Sequence, residues 1–220
     1  MTAPRVTPQE AWNALAEGNE RFMSDTLEHP QQGAARRNEL SDSQAPNAAF
    51  LGCAHSRVAA EILFDCGLGE LFVVRNIGQI ANANTTATME YAVAELGVAV
   101  IVVLAHCSCG AVAAAINQSS AQPNDVSPAI KKELEHIQPA VQQEWFMKNR
   151  ETPYVDPAQL DADAVGRRHL STTINDLIRS SKIISDAVAA GNLAIVGCQY
   201  QLENGRVAPI TSVGKVDFSA

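Results

Sequence analysis

Apolar residues along this chain alternate between helical spacing and short continuous runs. The first helical stretch is opened by Thr7 as N-cap, Pro8 at the first helical position and Glu10 closing a capping box. Trp12, Leu15 and Phe22 follow at roughly helical spacing. Residues 29–46 are polar and punctuated by Pro and Gly, which predicts a loop with a short helix. From residue 48 the pattern becomes strand, helix, strand. Runs at 48–53, 70–76, 98–105 and 193–198 are short and almost wholly apolar, and helical patterns at 58–64, 85–96 and 111–117 separate or follow the first three. Gly97 is placed to end the helix before it. Strands that are apolar throughout belong to parallel sheets covered on both faces.

Beyond residue 119 the period is helical again. Val126, Ile130, Leu134, Ile137, Val141 and Trp145 step by three or four, with Pro139 expected to kink or interrupt the helix. A break follows at 151–157. Leu170, Ile174, Leu177, Ile184 and Val188 then predict one second long amphipathic helix, ended by Gly191 and Asn192. The acidic residues at 156–163 suit its N-terminal end. Residues 200–210 read as a hairpin with Asn204-Gly205 at its turn. The expected fold is α/β: a mostly parallel sheet of four strands plus an edge strand, flanked by helices, with an N-terminal helical arm. One domain over 1–220 is expected, divided into the arm (1–46), a core (47–118), a helical region (119–190) and a C-terminal strand and hairpin (191–220).

Composition narrows the function. With 220 residues and 46% hydrophobic residues the chain can bury a sizeable core. A net charge of −8 argues against nucleic-acid or anionic-membrane partners, which call for a basic face. The longest apolar run is too short to span a bilayer, and no signal or transit pattern opens the sequence, so a cytoplasmic protein is expected. Five cysteines, an odd number, read as metal ligands, catalytic groups or buried fillers rather than a disulfide framework.

Two short motifs carry the candidate chemistry. Cys53 and His55 lie just past the first predicted strand, and His106 and Cys109 just past the third. Ligands of open parallel sheets bind outside the carboxyl ends of the strands, so two such junctions can bring these side chains together. The donor types suit zinc. Spacing alone leaves two readings open: a metal site, or buried cysteines and satisfied histidines with no ligand role. His29, His136 and His169 lie in polar or helical contexts and are expected to be solvated.

The stretches "GCAHSRVAAEILFDCGLGELFVVRNIGQ" and "MEYAVAELGVAVIVVLAHCSCGAV" resemble the paired motifs of the β-class carbonic anhydrases. The resemblance covers most of the chain and is weakest at 119–168. It implies a zinc enzyme that hydrates CO2 reversibly to bicarbonate through metal-bound hydroxide. It also implies a homodimer or homotetramer with the N-terminal helix packed across a partner. Carried over by position, Cys53, His106 and Cys109 become the zinc ligands. Arg57 becomes the arginine that pairs with an aspartate, Gln44 a substrate-binding glutamine, and Gly110 the glycine whose amide sits beside the metal. Cys66, Cys107 and Cys198 match no ligand position, and Cys107 is expected to point away from the metal.

His55 departs from the family, which has an aspartate there. The imidazole can coordinate zinc as a fourth ligand and close a Cys2His2 set, giving an impaired enzyme. It can shuttle protons, or turn aside to a carbonyl and leave the fourth position to water. In every case it gives Arg57 no anionic partner. The same fold can also hydrolyse related small electrophiles such as CS2 or COS.

Overall fold

A computed structural model describes residues 2–148 and 152–218. Its centre is a five-stranded sheet built from β1 (Ala48–Cys53), β2 (Leu71–Asn76), β3 (Val100–His106), β4 (Ala194–Tyr200) and β5 (Val207–Val213), in the order β2-β1-β3-β4-β5. The first four strands run parallel, and β5 pairs antiparallel with β4. The expected four strands plus an edge strand are what the chain forms. Pro209 is tolerated because β5 is an edge strand, and the pairing shifts register beside it at Gly197/Cys198.

Alternation along the strands divides the core. Phe50, Val100, Val102, Leu104 and Val196 pack on one side with Trp12 and Leu15 of α1 (Pro8–Met23). Leu51, Ile101, Val103 and Ile195 pack on the other with Met89, Leu170, Ile174 and Ile184. The Thr7–Glu10 capping box forms as the sequence predicts. The apolar face of α1, with Ala11, Trp12 and Leu15, is buried against its own chain. A short helix, α2 (Ala34–Glu39), occupies the polar segment before β1.

Several boundaries differ from expectation. The helix after β1, α3 (Ala60–Leu63), is a single turn. The next helix, α4 (Ala83–Tyr91), starts two residues early because Asn82 caps it. It runs on into a π-helical turn (Ala92–Leu96) that Gly97 ends at φ 67°. After β3 come α5 (Gly110–Gln118), α6 (Pro128–Leu134) and α7 (Gln138–Lys148). The interruption falls just ahead of Pro139, which sits in the first turn of α7, where its missing N–H costs nothing. The expected break at 151–157 begins outside the described residues.

The second long helix is two: α8 (Ala162–Ser180) and α9 (Lys182–Ala189). Ser181 separates them in an extended conformation. Its hydroxyl accepts from the Ile184 N–H and donates to Glu90. A serine that caps competes with helix continuation, and apolar periodicity does not register that.

His169 corrects another expectation: it is 1% exposed, not solvated. It shares one helical stripe with the buried Val165, Thr173 and Leu177, four residues apart, so its polar neighbours in sequence lie on a different face. His29 and His136 are exposed, as predicted. Among the described residues no helix is long and apolar enough to cross a membrane.

Candidate metal centre

The site lies at the carboxyl ends of β1 and β3, where two parallel strands hand over to helices. Cys53 is the last residue of β1, His106 the last of β3, and Cys109 the N-cap of α5. Ser108, at φ 56°, makes the turn between them, with its N–H donating to Asp163 of α8 at 3.2 Å. The potential ligand atoms of Cys53, His106 and Cys109 all lie within 4.8 Å of one another, and all three residues are buried.

The hydrogen bonding of His106 defines what the group can do. Its Nδ1 lies 2.9 Å from the Cys107 carbonyl oxygen, an atom that only accepts, so Nδ1 carries the proton. That leaves the Nε2 lone pair free, and Nε2 is buried with no hydrogen-bond partner. An orphaned acceptor of this kind costs about 1–3 kcal/mol unless something satisfies it. Two thiols and this nitrogen form a donor set suited to zinc. Tetrahedral zinc would hold the three atoms about 3.5–3.8 Å apart, a small contraction. The residues fit the metal.

The two thiols settle into different states. Cys53 is pushed towards thiolate by the Cys109 S–H, against the cost of burial, with help from the backbone N–H groups of Gly78 and His55. Cys109 is pushed up by the Cys53 charge and by burial, although the Val112 and Ala111 amides of α5 oppose this. One sulfur therefore carries the charge when no cation is present. A divalent cation removes the conflict.

His55 stands beside the group without joining it. Its ring centroid is 4.6 Å from that of His106, and its Nε2 accepts from Arg57 Nε at 2.7 Å. A guanidinium only donates, so His55 is a neutral imidazole with its proton on Nδ1. Burial, with the Arg57 charge adding to it, holds its pKa below the usual value. Arg57 thus has a neutral partner in His55. Arg75 fixes the segment by donating to the Cys53 and His55 carbonyls at 3.1 and 2.6 Å.

The remaining predicted residues fall differently. Gly110 is the first residue of α5 and exposed, and a Cβ there would meet nothing within 4 Å. The α5 amides that act on a ligand sulfur are those of Ala111 and Val112. Gln44 is not part of the cluster. It precedes β1 at the opposite edge of the sheet, exposed in a groove shared with Tyr91 and Leu68. The six residues of β1 alone separate it from Cys53 by about 20 Å. Burial, then the Asp163 carboxylate, raises the pKa of the half-buried Cys107 thiol. Sequence reasoning missed Arg75, Gly78 and the Cys107 carbonyl, two of which act through backbone atoms that no motif encodes.

A family model described as carbonic anhydrase matches residues 48–207. Carbonic anhydrase 2 of Mycobacterium tuberculosis is 40% identical over 215 residues, spanning 97% of this chain and 98% of the relative. The carbonic anhydrase of Mycolicibacterium smegmatis is 38% identical with the same coverage. In fold, the chain is similar to the Coccomyxa β-carbonic anhydrase in complex with acetazolamide, with a TM-score of 0.69 at 23% identity, covering 90% of this chain and 86% of that one. It is also similar to a tetrameric β-carbonic anhydrase of Sordaria macrospora, with a TM-score of 0.67 at 20% identity and coverage of 92% and 98%. With the motif pair at the ends of β1 and β3 and relatives matched over nearly their whole length, this chain belongs to the carbonic anhydrase family.

Proposed function

We propose that the protein is a zinc-dependent carbonic anhydrase interconverting CO2 and bicarbonate, with Cys53, His106 and Cys109 as the metal ligands. The observation that carries this reading is the orphaned Nε2 of His106, buried among two cysteine sulfurs while its Nδ1 is committed to a carbonyl. Zinc held there supplies Lewis acidity and a nucleophile drawn from water at neutral pH.

The chain's own groups supply the rest. Apart from Nε, which His55 engages, the Arg57 guanidinium has no hydrogen-bond partner among the described residues. Its terminal N–H groups are therefore available to the oxygens of bicarbonate. His55 orients Arg57 and, with its proton on Nδ1, lies on the route by which a proton leaves. Its engagement with Arg57 favours the open, three-ligand set over a closed Cys2His2 one. Gln44, on the far edge of the sheet, can meet a metal centre only in a second copy. This supports a homodimer or a larger assembly, in line with the tetrameric structural neighbours. Five cysteines without a disulfide support a cytoplasmic location.

The test is elemental analysis joined to stopped-flow CO2 hydration on the native protein and His55→Asp. The reading expects one zinc per chain and hydration by the native protein. Zinc with hydration in the variant alone would show a closed or impaired site, and no zinc at all would overturn the metal assignment.

A further inference from the structure

Asp163 belongs to neither motif, yet it is bonded to the loop that joins two candidate ligands. Only Cys107 and Ser108 separate His106 from Cys109, and Ser108 takes the left-handed region at φ 56°. A non-glycine residue stays there only where its surroundings over-determine it. The backbone is held on both sides of Cys107. The Cys107 N–H donates to the Tyr200 carbonyl at 3.0 Å, beside the last paired residues of β3 and β4. The Ser108 N–H donates to Asp163 Oδ1 of α8 at 3.2 Å.

The second of these bonds reaches the metal centre. The Ser108 N–H and the Cys107 carbonyl belong to one planar peptide group, so fixing one fixes the direction of the other. That carbonyl is the atom that accepts from His106 Nδ1 at 2.9 Å. A hydrogen-bonded chain therefore runs from the Asp163 carboxylate through one peptide group to the imidazole. It ends at the Nε2 that has no partner. Metal-bound histidines commonly give their other N–H to a carboxylate or a carbonyl, which sets the tautomer and the ring direction. Here the carbonyl is itself set by a carboxylate from another element. The carboxylate is carried by a packed helix: the Asp163 N–H donates to the capping Asp161 side chain at 2.9 Å, and Val165 is buried in the same cluster as Cys53 and Cys109.

We propose that Asp163 is a positioning residue for the metal centre: by accepting the Ser108 N–H it holds the Cys107 carbonyl on His106 Nδ1 and so aims Nε2 at the metal. The proposal rests on reading Cys53, His106 and Cys109 as the metal set. Groups that orient ligands in this way typically change metal affinity about 10–100-fold when removed.

The experiment compares the native protein with Asp163→Ala, which removes the acceptor, and Asp163→Asn, whose side-chain oxygen still accepts. Asp163 is partly exposed in the first turn of α8, where alanine is readily accommodated, so both variants are expected to fold. Zinc affinity is measured by chelator competition. The tautomer of His106 is read by imidazole 15N NMR of the metal-free protein, recorded where imidazoles are neutral. Asp163→Ala is expected to bind zinc at least ~10-fold more weakly and to turn a single Nδ1–H tautomer into a mixture. Asp163→Asn is expected to restore both. Unchanged affinity or an unchanged tautomer in Asp163→Ala would overturn the positioning role while leaving the metal site standing. Equal losses in both variants would trace the effect to charge at the start of α8 and would also overturn it. A native protein that binds no zinc would overturn the metal reading on which the role rests.

Discussion

Two buried histidines, one at the end of β3 and one in the middle of α8, are near mirror images in their hydrogen bonding. His106 commits Nδ1 to a carbonyl and leaves Nε2 unpartnered; His169 commits Nε2 to a carbonyl and leaves Nδ1 unpartnered. What separates them is the company of the free nitrogen. That of His106 shares 4.8 Å with two cysteine sulfurs, whereas among the described residues no metal-capable group includes His169. Burial and an orphaned nitrogen do not make a ligand; convergence with other soft donors does. One imidazole stands among candidate metal ligands, and the other is tied to the Gly78 backbone carbonyl.

The largest expected effect breaks the comparison at its first member. His106→Ala should lower zinc affinity by on the order of 10²-fold or more, because a two-sulfur remnant lacks the third ligand. The metal-free protein should lose little stability, since the substitution also removes an unsatisfied nitrogen worth about 1–3 kcal/mol. Chelator competition and denaturation of the apoprotein measure the two separately. Retained affinity would remove His106 from the ligand set.

The next effect concerns the second member and is read in pH. Burial depresses the His169 pKa from its usual 6.5 to about 4, with the Gly78 carbonyl opposing and His136 assisting. As pH falls below 6.5 the unfolded chain takes up this proton first. The stability contributed by neutral His169 is therefore complete above pH 6.5 and is lost progressively down to about pH 4. A 2.5-unit shift corresponds to ~3 kcal/mol. Urea unfolding of apoprotein across pH 4–7.5 should show this slope, and His169→Gln should flatten it by that amount. Equal slopes would mean that His169 is not held neutral.

The legibility of the two histidines in the sequence differs for a physical reason. His106 stands in a motif at the mouth of a strand that reads as buried, so type, spacing and topology agree. His169 stands in "RRHLS", and only the four-residue step through Val165, Thr173 and Leu177 reveals its face. The parallel sheet was legible because its strands are apolar on both faces. The split at Ser181 was not, because a single hydroxyl that caps one helix and bonds Glu90 leaves the apolar period intact. Gln44 shows the limit of motif position: it precedes β1, so it lies at the amino end of the strand while Cys53 closes the carboxyl end.

The smallest expected effect sharpens the account of His106. Its orientation depends on the Cys107 carbonyl, a backbone atom that a side-chain change leaves in place. The Ser108 N–H, on the same peptide group as that carbonyl, donates to Asp163 at 3.2 Å and holds the peptide independently of the thiol. The thiol does not belong to the group of candidate ligand atoms that Cys53, His106 and Cys109 form. Cys107→Ser should therefore keep zinc affinity within about twofold and stability within roughly 0.5 kcal/mol, as for a half-exposed position outside the core. Chelator competition and thermal unfolding check both. A tenfold loss of zinc would place the Cys107 sulfur in the metal's coordination and would reassign the third ligand, whereas near-silence leaves a cysteine inside the motif whose contribution is its carbonyl.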